Sequence, residues 1–536
     1  MITKINFVVI LFLLCVNILY SQNNFRIYPS TINQTEPVIT FNPLNPAIMF
    51  ASDVIISGAL TNTGIYISTN SGITWFGHDT LSGSNVNPNN NGGDPSVMID
   101  KFGNFVITHV GNLSGPPFGG GLYSHFSTNQ GLTWNNTSTI TTTQVEDKGS
   151  STVDYSPISP YYGYIFTAFV NQYATPHPLV QFSSSSNSGQ TWSSVISINA
   201  GNPNNCSGGS IRVSYDGKIY VTWAGMTQSP IYEIFAGFAS SSNAGVNWNV
   251  TQNVFSMHGI FGTLNFGNGD IRVNGLPQVE VDNSTGIRRG WIYIITSEKN
   301  LSPAGSDPDI ILHRSTDEGV SWSNGIRVNQ DPINNGKVQY FPSMCIDSLG
   351  GIDIIYYDNR NSTSDSVEVF IARSKDGGNS WFEKPISDHK LLPQPIFGGA
   401  SNFQGDKITA IATSDKIYMS WMDKFSGIYQ IWLKIVDLSS IDVKNISTTV
   451  PDKFELLQNY PNPFNPSTKI QFRIQKSGFV KLDVFDINGR LLNTPVNQTL
   501  SYGTYEINYS GESSGIYFYR LTSGNFTQTK KMIMVK

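Results

Sequence analysis

Gly511-Glu512-Ser513-Ser514-Gly515 has the G-x-S-x-G spacing that can present a serine nucleophile. That chemistry needs a sharp strand-to-helix turn. The residues that follow alternate in the manner of a strand, so a plain turn is expected here. The seven histidines are scattered, with no H-E-x-x-H and no ligand pair close in sequence. No glycine-rich phosphate loop is present. Basic residues are not interleaved with aromatics, so nucleic acid is not an expected partner. Asp-rich turns such as Asp307-Pro308-Asp309 could hold calcium. An ordinary turn is the preferred reading, and no metal or other cofactor is expected. Cys206 and Cys345 could pair, but two cysteines so far apart make no disulfide framework and are read as unpaired.

The stretch that recurs is not a catalytic motif. Ser315-Thr316-Asp317-Glu318-Gly319-Val320-Ser321-Trp322 reads S-x-D-x-G-x-S-W, and near-copies start at Ser68, Ser127, Ser185, Ser241 and Ser374. Successive starts are 59, 58, 56, 74 and 59 residues apart, the mark of one supersecondary unit repeated. The third position (Asn70, Asn129, Asn187, Asn243, Asp317, Asp376) can fold its side chain back onto main-chain N–H groups. The glycine two places on (Gly72, Gly131, Gly189, Gly245, Gly319, Gly378) supplies a backbone angle that other residues resist. The tryptophan (Trp75, Trp134, Trp192, Trp248, Trp322, Trp381) then begins the next strand and buries a large ring between units. In the fourth copy Asn247 replaces the hydroxyl residue.

This pattern resembles the Asp-box, or bacterial neuraminidase repeat, of the sialidase-like β-propellers. The resemblance implies a propeller fold, with the boxes at the blade periphery, away from any catalytic face. For a sialidase it further implies three arginines gripping a substrate carboxylate by forked hydrogen bonds. It implies a tyrosine nucleophile helped by a glutamate, a recognised exception to two-carboxylate glycosidase chemistry, and an aspartate as general acid/base. Phe25-Arg26-Ile27-Tyr28-Pro29 is similar to the family's R-I-P, with Tyr28 inserted, which makes Arg26 a candidate. Arg212, Arg272 and Arg360 could point into a channel, and Tyr340 with Glu280 are conceivable as nucleophile and helper, although no family motif surrounds them.

The elements that would position these residues are short alternating runs. Seven units are expected from Phe25 to about Leu438, each with three strands, the box and a fourth strand. The second is expected as Pro95–Asp100, Asn104–Val110, Gly121–Ser127 and Ser138–Thr143. The fourth is expected to end on a short outer strand. The seventh (Lys407–Thr413, Lys416–Met422, Tyr429–Val436) stops without a box, and the lone strand Asn24–Pro29 is expected to complete it and close the ring. Seven blades are therefore favoured, with six, usual for sialidases, the alternative. The 74-residue interval marks the fifth unit as carrying insertions at Phe255–Asp270, Asn283–Gly290 and Asn300–Asp309.

The two ends of the chain differ from this ring. Lys4, the apolar run Phe7–Val16 and Leu19-Tyr20-Ser21 form an expected export signal over residues 1–21. Lipidation at Cys15 is disfavoured by the bulky Leu14, and no later segment could cross a membrane as a helix. Residues 22–440 are read as the propeller, 441–453 as a linker and 454–536 as a small Ig-like β-sandwich. The last part closely resembles the type A C-terminal sorting domain of type IX secretion. The matching pieces are YPNPFNPST with Pro461, Asn462 and Pro463, VKLDVFDINGR ending in Gly489-Arg490, GTYEI, SGIYFYRL with Gly515 and Tyr517, and the basic end Lys530-Lys531. The resemblance implies the type IX apparatus as partner and a secreted or cell-surface location. Charged residues are only 13%, about half the usual share, and the net charge is −5, which suits an exported β-rich chain. The expected fold class is all-β. The expected function is a displayed propeller that binds glycan or protein, the alternative being an extracellular glycoside hydrolase of the exo-α-sialidase kind.

Overall fold

The computed structural model describes residues 24–535 except 59, 82–89, 113–119, 136, 143–145, 172–177, 202–203, 268, 363–365, 398–399, 439–442, 466 and 511–513. The expected export signal therefore lies outside the described residues. Among them, every named element is a β-strand.

Seven four-stranded antiparallel units follow one another. The first holds Asn33–Asn42, Asn45–Ser57, Leu60–Ser68 and Phe76–His78, with Asn90–Asn91 added in parallel. The second holds Ser96–Ile99, Phe105–Asn112, Gly120–Ser127 and Ser138–Thr141, and the third Glu146–Val153, Ile165–Asn171, Leu179–Ser185 and Ile196–Ser197. The fourth is Asn205–Val213, Ile219–Met226, Glu233–Ser241 and Asn249–Ser256. The fifth is Gln278–Val281, Ile292–Glu298, Asp309–Ser315 and Ile326–Arg327, and the sixth Gln339–Ile346, Ile352–Asp358, Glu368–Ser374 and Phe382–Pro385. Thr409–Ala412, Lys416–Asp423 and Gln430–Asp437 make the seventh, whose outer strand is Phe25–Arg26, paired to Leu433 and Trp432. The first strands of the seven blades touch in circular order, and that of the seventh meets that of the first. The chain is thus a closed seven-bladed β-propeller, and the N-terminal strand closes it.

Closure follows from where apolar residues fall. Strands two and three of each blade are buried on both faces, so each boundary between blades has its own core. Phe50, Ile65 and Ile67 of blade one meet Phe105, Ile107 and Trp134 of blade two. Tyr220 and Phe238 of blade four meet Val279, Ile292 and Ile294 of blade five. Met49 and Tyr66 of blade one meet Tyr418, Ile431 and Leu433 of blade seven.

Two expectations change. The fourth blade's outer strand is eight residues long, not short, and takes in part of the expected Phe255–Asp270 connection. The remainder folds as a hairpin, Gly262–Asn265 with Asp270–Val273. Ile260, Phe266, Ile271 and Val273 of this segment are buried against Tyr340 and Phe403, so apolar burial rather than turn composition decided its structure.

The C-terminal region forms two four-stranded sheets. One orders Lys444–Ser447, Gly503–Ser510, Ser467–Ile474 and Glu455–Leu456; the other Leu491–Leu500, Gly478–Phe485, Gly515–Ser523 and Phe526–Met534. Ile470, Phe472 and Ile507 of the first share a core with Val480, Leu482, Tyr519 and Met532 of the second. Lys444–Ser447 comes from the stretch read as linker, and Leu491–Leu500 was not foreseen as a strand. The Pro461-Asn462-Pro463 segment straps the sheet end: Asn462 Oδ1 accepts from Ile533 N at 2.9 Å, and Phe464 N donates to Ile533 O at 3.0 Å.

Candidate functional site

The seven innermost strands surround an axial cavity of about 320 Å³. Those of blades one, three, four and six each lose register by one step near their start, at Thr35/Val38, Asp147/Ser150, Ser207/Ser210 and Tyr340/Ser343. Such bulges bend a strand and re-aim its side chains. Glu36 (φ 54°) and Phe341 (φ 51°) take the left-handed conformation at two of them, and Gly208 at a third.

Hydroxyl and amide groups line the cavity, among them Thr40, Ser96, Thr152, Ser210, Gln278 and Ser343. Three of the serines tie neighbouring blades together. Ser96 Oγ accepts from Ser151 N at 3.0 Å, Ser210 Oγ from Val279 N at 3.1 Å, and Ser343 Oγ from Ala410 N at 3.0 Å. Each bond runs from an even-numbered blade to the next. These serines do not stand out in the sequence. The one signal they share is a serine directly after proline or glycine on an innermost strand.

The candidate residues are not gathered at one point. Arg212 lines the cavity from the fourth blade's innermost strand, with Nε 2.5 Å from Glu280 Oε1 on the adjacent innermost strand of blade five. Its Nη1 donates to Ile211 O at 2.8 Å. Burial pushes the Glu280 carboxyl up, and Arg212 opposes that shift. Arg272 stands on the hairpin before blade five. Its guanidinium forks onto Asp406, with Nε 3.3 Å from Oδ1, and lies 4.9 Å from the Phe403 ring centre. Lys407 Nζ lies 3.8 Å from Asp94 Oδ1. Every cation named in or beside the cavity thus faces a carboxylate.

The other candidates lie elsewhere. Arg26 sits on the outermost strand of blade seven, the radial end opposite the axis. Arg360 belongs to a turn of blade six, where Glu383 receives both of its terminal nitrogens at 2.9 and 3.0 Å and Asp358 receives Nε at 2.7 Å. Tyr340 is fully buried, its ring 5.0 Å from that of Tyr357, and burial pushes its hydroxyl well above the usual phenol range. Tyr340 is not among the residues that line the axial cavity. At the Asp-rich turn, Asp307 Oδ2 accepts from Gly336 N at 2.7 Å and Asp309 Oδ1 from Arg327 Nε at 2.7 Å, while Asp307 Oδ1 is buried without a hydrogen-bond partner. Cys206 and Cys345 are both buried and form no disulfide.

The repeated turns lie on the rim, between the third and fourth strands. In the fifth, Ser315 Oγ donates to Asp317 Oδ1 at 2.8 Å and accepts from Gly319 N at 2.8 Å, while Asp317 Oδ1 accepts from Ser321 N at 2.9 Å. The indole of Trp322 donates to Gly319 O at 3.2 Å. The first turn repeats this scheme with Ser68, Asn70, Gly72, Thr74 and Trp75. In the fourth, Asn247 keeps its backbone bond to Asn243 Oδ1 at 2.9 Å. The residue before each glycine is also left-handed, from Ser71 to Gly377, which the sequence reading did not anticipate.

Comparison with known proteins gives two kinds of likeness. Residues 458–536 match the family described as a secretion system C-terminal sorting domain. This tail marks the chain for export by type IX secretion to the cell surface or extracellular space. No curated protein sequence matches the chain. Among solved structures, an ulvan lyase of a polysaccharide lyase family is 13% identical, with a TM-score of 0.50, covering 77% of this chain and 96% of that one. A Hadza microbial sialidase is 14% identical (TM-score 0.40; 74% of this chain, 75% of that one). A protein of unknown function from Dyadobacter fermentans is 10% identical (TM-score 0.41; 77% of this chain, 98% of that one). At such identities the likeness is one of fold.

Proposed function

We propose that the exported propeller is a saccharide-binding module that presents its axial cavity to glycans outside the cell. One observation carries this reading: the cavity offers neutral hydroxyl and amide groups, while its cations are already committed to carboxylates. Such a surface suits the hydroxyls of a sugar. It does not suit the carboxylate of a sialic acid, which needs unpaired guanidinium groups. The tail's partner is the type IX machinery, and the first 21 residues act as the signal that brings the chain to it.

The test is a glycan array probed with the mature protein, beside an assay for sialic acid release. Saccharide binding, weakened at least tenfold by Gln278→Ala and Ser210→Ala together, is the expected result, that being the order of effect of losing hydrogen bonds to a ligand. Release of sialic acid, abolished by Arg212→Ala, would replace this reading with the exo-α-sialidase one. Silence in both assays would turn attention to protein ligands.

A further inference from the structure

Two ion pairs cross the axial cavity as chords rather than running along its wall. Both start from the segment that leads into the innermost strand of blade seven, Thr409–Ala412. Lys407 reaches past the adjacent blade one to blade two. Its Nζ lies 3.4 Å from Pro95 O and 3.8 Å from Asp94 Oδ1, and all three residues line the cavity. Asp406, which also lines the cavity, receives the guanidinium of Arg272 from the hairpin between blades four and five. That pair spans the sector of blades five and six. The residues concerned precede the innermost strands, so the chords lie at the mouth where those strands begin.

The two chords differ in how firmly they are held. Thr35 Oγ1 of blade one donates to Gln404 O at 2.5 Å, Asp406 N donates to Glu36 Oε1 at 3.0 Å, and Arg272 N donates to Asn402 O at 2.6 Å. Gly405 takes φ 120°, and a Cβ there would lie 2.0 Å from Thr35 Oγ1. The backbone of this segment is thus pressed against blade one. The Arg272 fork on the buried Asp406 is a fixed chord. The Lys407–Asp94 contact is longer than a hydrogen bond, and its side chains are 24% and 17% exposed. Lysine carries its ammonium on a flexible four-carbon stem, so this chord can open while the backbone stays in place.

We propose that Lys407 is the gatekeeper of the axial cavity. At rest its side chain bars this mouth, and a ligand reaches the hydroxyl groups inside when the ammonium leaves Asp94 and Pro95. The opening lies in the sector from blade seven to blade two, while the Arg272 chord remains. The site therefore selects a slender, unbranched chain end, a choice of ligand that rests on the saccharide reading of the cavity.

The test reads access without any saccharide, so its failure and that of the saccharide reading are distinguishable. Thr152→Cys places a thiol in the cavity wall on blade three, and its alkylation by iodoacetamide in the full mature chain is followed by mass spectrometry, relative to a free cysteine. Cys206 and Cys345 are buried, and the parent chain gives their background. Adding Lys407→Gln or Asp94→Asn is expected to speed the reaction about two- to fivefold, the effect of losing a partly exposed ion pair. Raising sodium chloride to about 1 M, where screening reaches within about 3 Å, should speed it in the Thr152→Cys protein alone. The salt series decides the matter if a second substitution prevents folding. A rate unmoved by both variants and by salt would overturn the proposal, because the cavity would then fill through its other mouth. So would a thiol that stays unreactive in every form.

Discussion

A single methyl group measures how closely the repeated turns sit against their neighbours. A Cβ added at Gly319 would lie 2.3 Å from Phe238 Cε1 of the preceding blade, and one at Gly245 would lie 2.1 Å from Phe182 Cε1. Both glycines are also left-handed, at φ 90° and 85°. Gly319→Ala is expected to cost about 1–3 kcal/mol, combining backbone strain with overpacking, read as a lower midpoint in denaturant. Gly336→Ala, where nothing lies within 4 Å, meets the backbone term alone and is expected to cost less. At Asp53 the issue is a proton. The Tyr66 hydroxyl lies 2.9 Å from Asp79 Oδ1 and 3.2 Å from Asp53 Oδ1, and it can donate to only one of them. Burial first, and the Asp79 carboxylate second, push the Asp53 pKa well above the usual carboxylate range. Its folded pKa thus exceeds its unfolded one. The stability it contributes is complete below the unfolded value and is lost as pH rises through the folded value. Asp53→Asn should flatten that part of the pH–stability curve and leave the protein more stable than wild type at the alkaline end. A steeper loss with pH in the variant would contradict the assignment.

Ring closure is an affair of elements, and a clasp secures it. Asn24 N donates to Asp388 Oδ2 at 2.9 Å, His389 Nδ1 lies 2.6 Å from Asp388 Oδ1, and His389 Nε2 lies 3.2 Å from Asp423 Oδ2. The imidazole stacks on Phe425 with ring centres 3.9 Å apart. Burial pulls the His389 pKa down, but the hydrogen bonds and charges of Asp423 and Asp388 outweigh it and leave it raised. A histidine with a raised folded pKa contributes stability that is full below its unfolded value and is lost as pH rises through the folded one. Thermal midpoints should therefore fall as pH rises above the ordinary histidine range of about 6.5. His389→Gln should remove that slope while lowering the midpoint at pH 6. The strand Phe25–Arg26 itself is the larger element. Deleting residues 24–29 would expose the edge of Gln430–Asp437, and an open edge invites pairing between chains. The expected outcome is a lower midpoint and self-association on size exclusion. An unchanged, monomeric variant would mean that the seventh blade is stable with three strands.

For the molecule as a whole, the sequence by itself determined the repeat. The box fixes a turn by local chemistry, a side-chain oxygen reaching back to nearby N–H groups beside a glycine, and local chemistry is visible in one dimension. With the strand pattern it favoured seven blades over six and pointed to the lone N-terminal strand as the closing piece, and the sorting tail was legible from motifs of its own such as Pro461-Asn462-Pro463. The axial cavity was not legible, because its walls come from seven strands that are distant in sequence and its shape comes from bulges. Of the three residues left-handed at those bulges, Gly208 alone is a glycine; Glu36 and Phe341 are held there by tertiary packing. The ring also decided which candidates meet. It put Arg212 beside Glu280, sent Arg26 to the rim, and buried Tyr340 among Phe266, Phe341 and Tyr357. Strand identity follows from residue spacing along the chain. Which side chains share a cavity depends on how far each strand lies from the axis and where its register slips, and those are settled only when the blades pack and the ring closes.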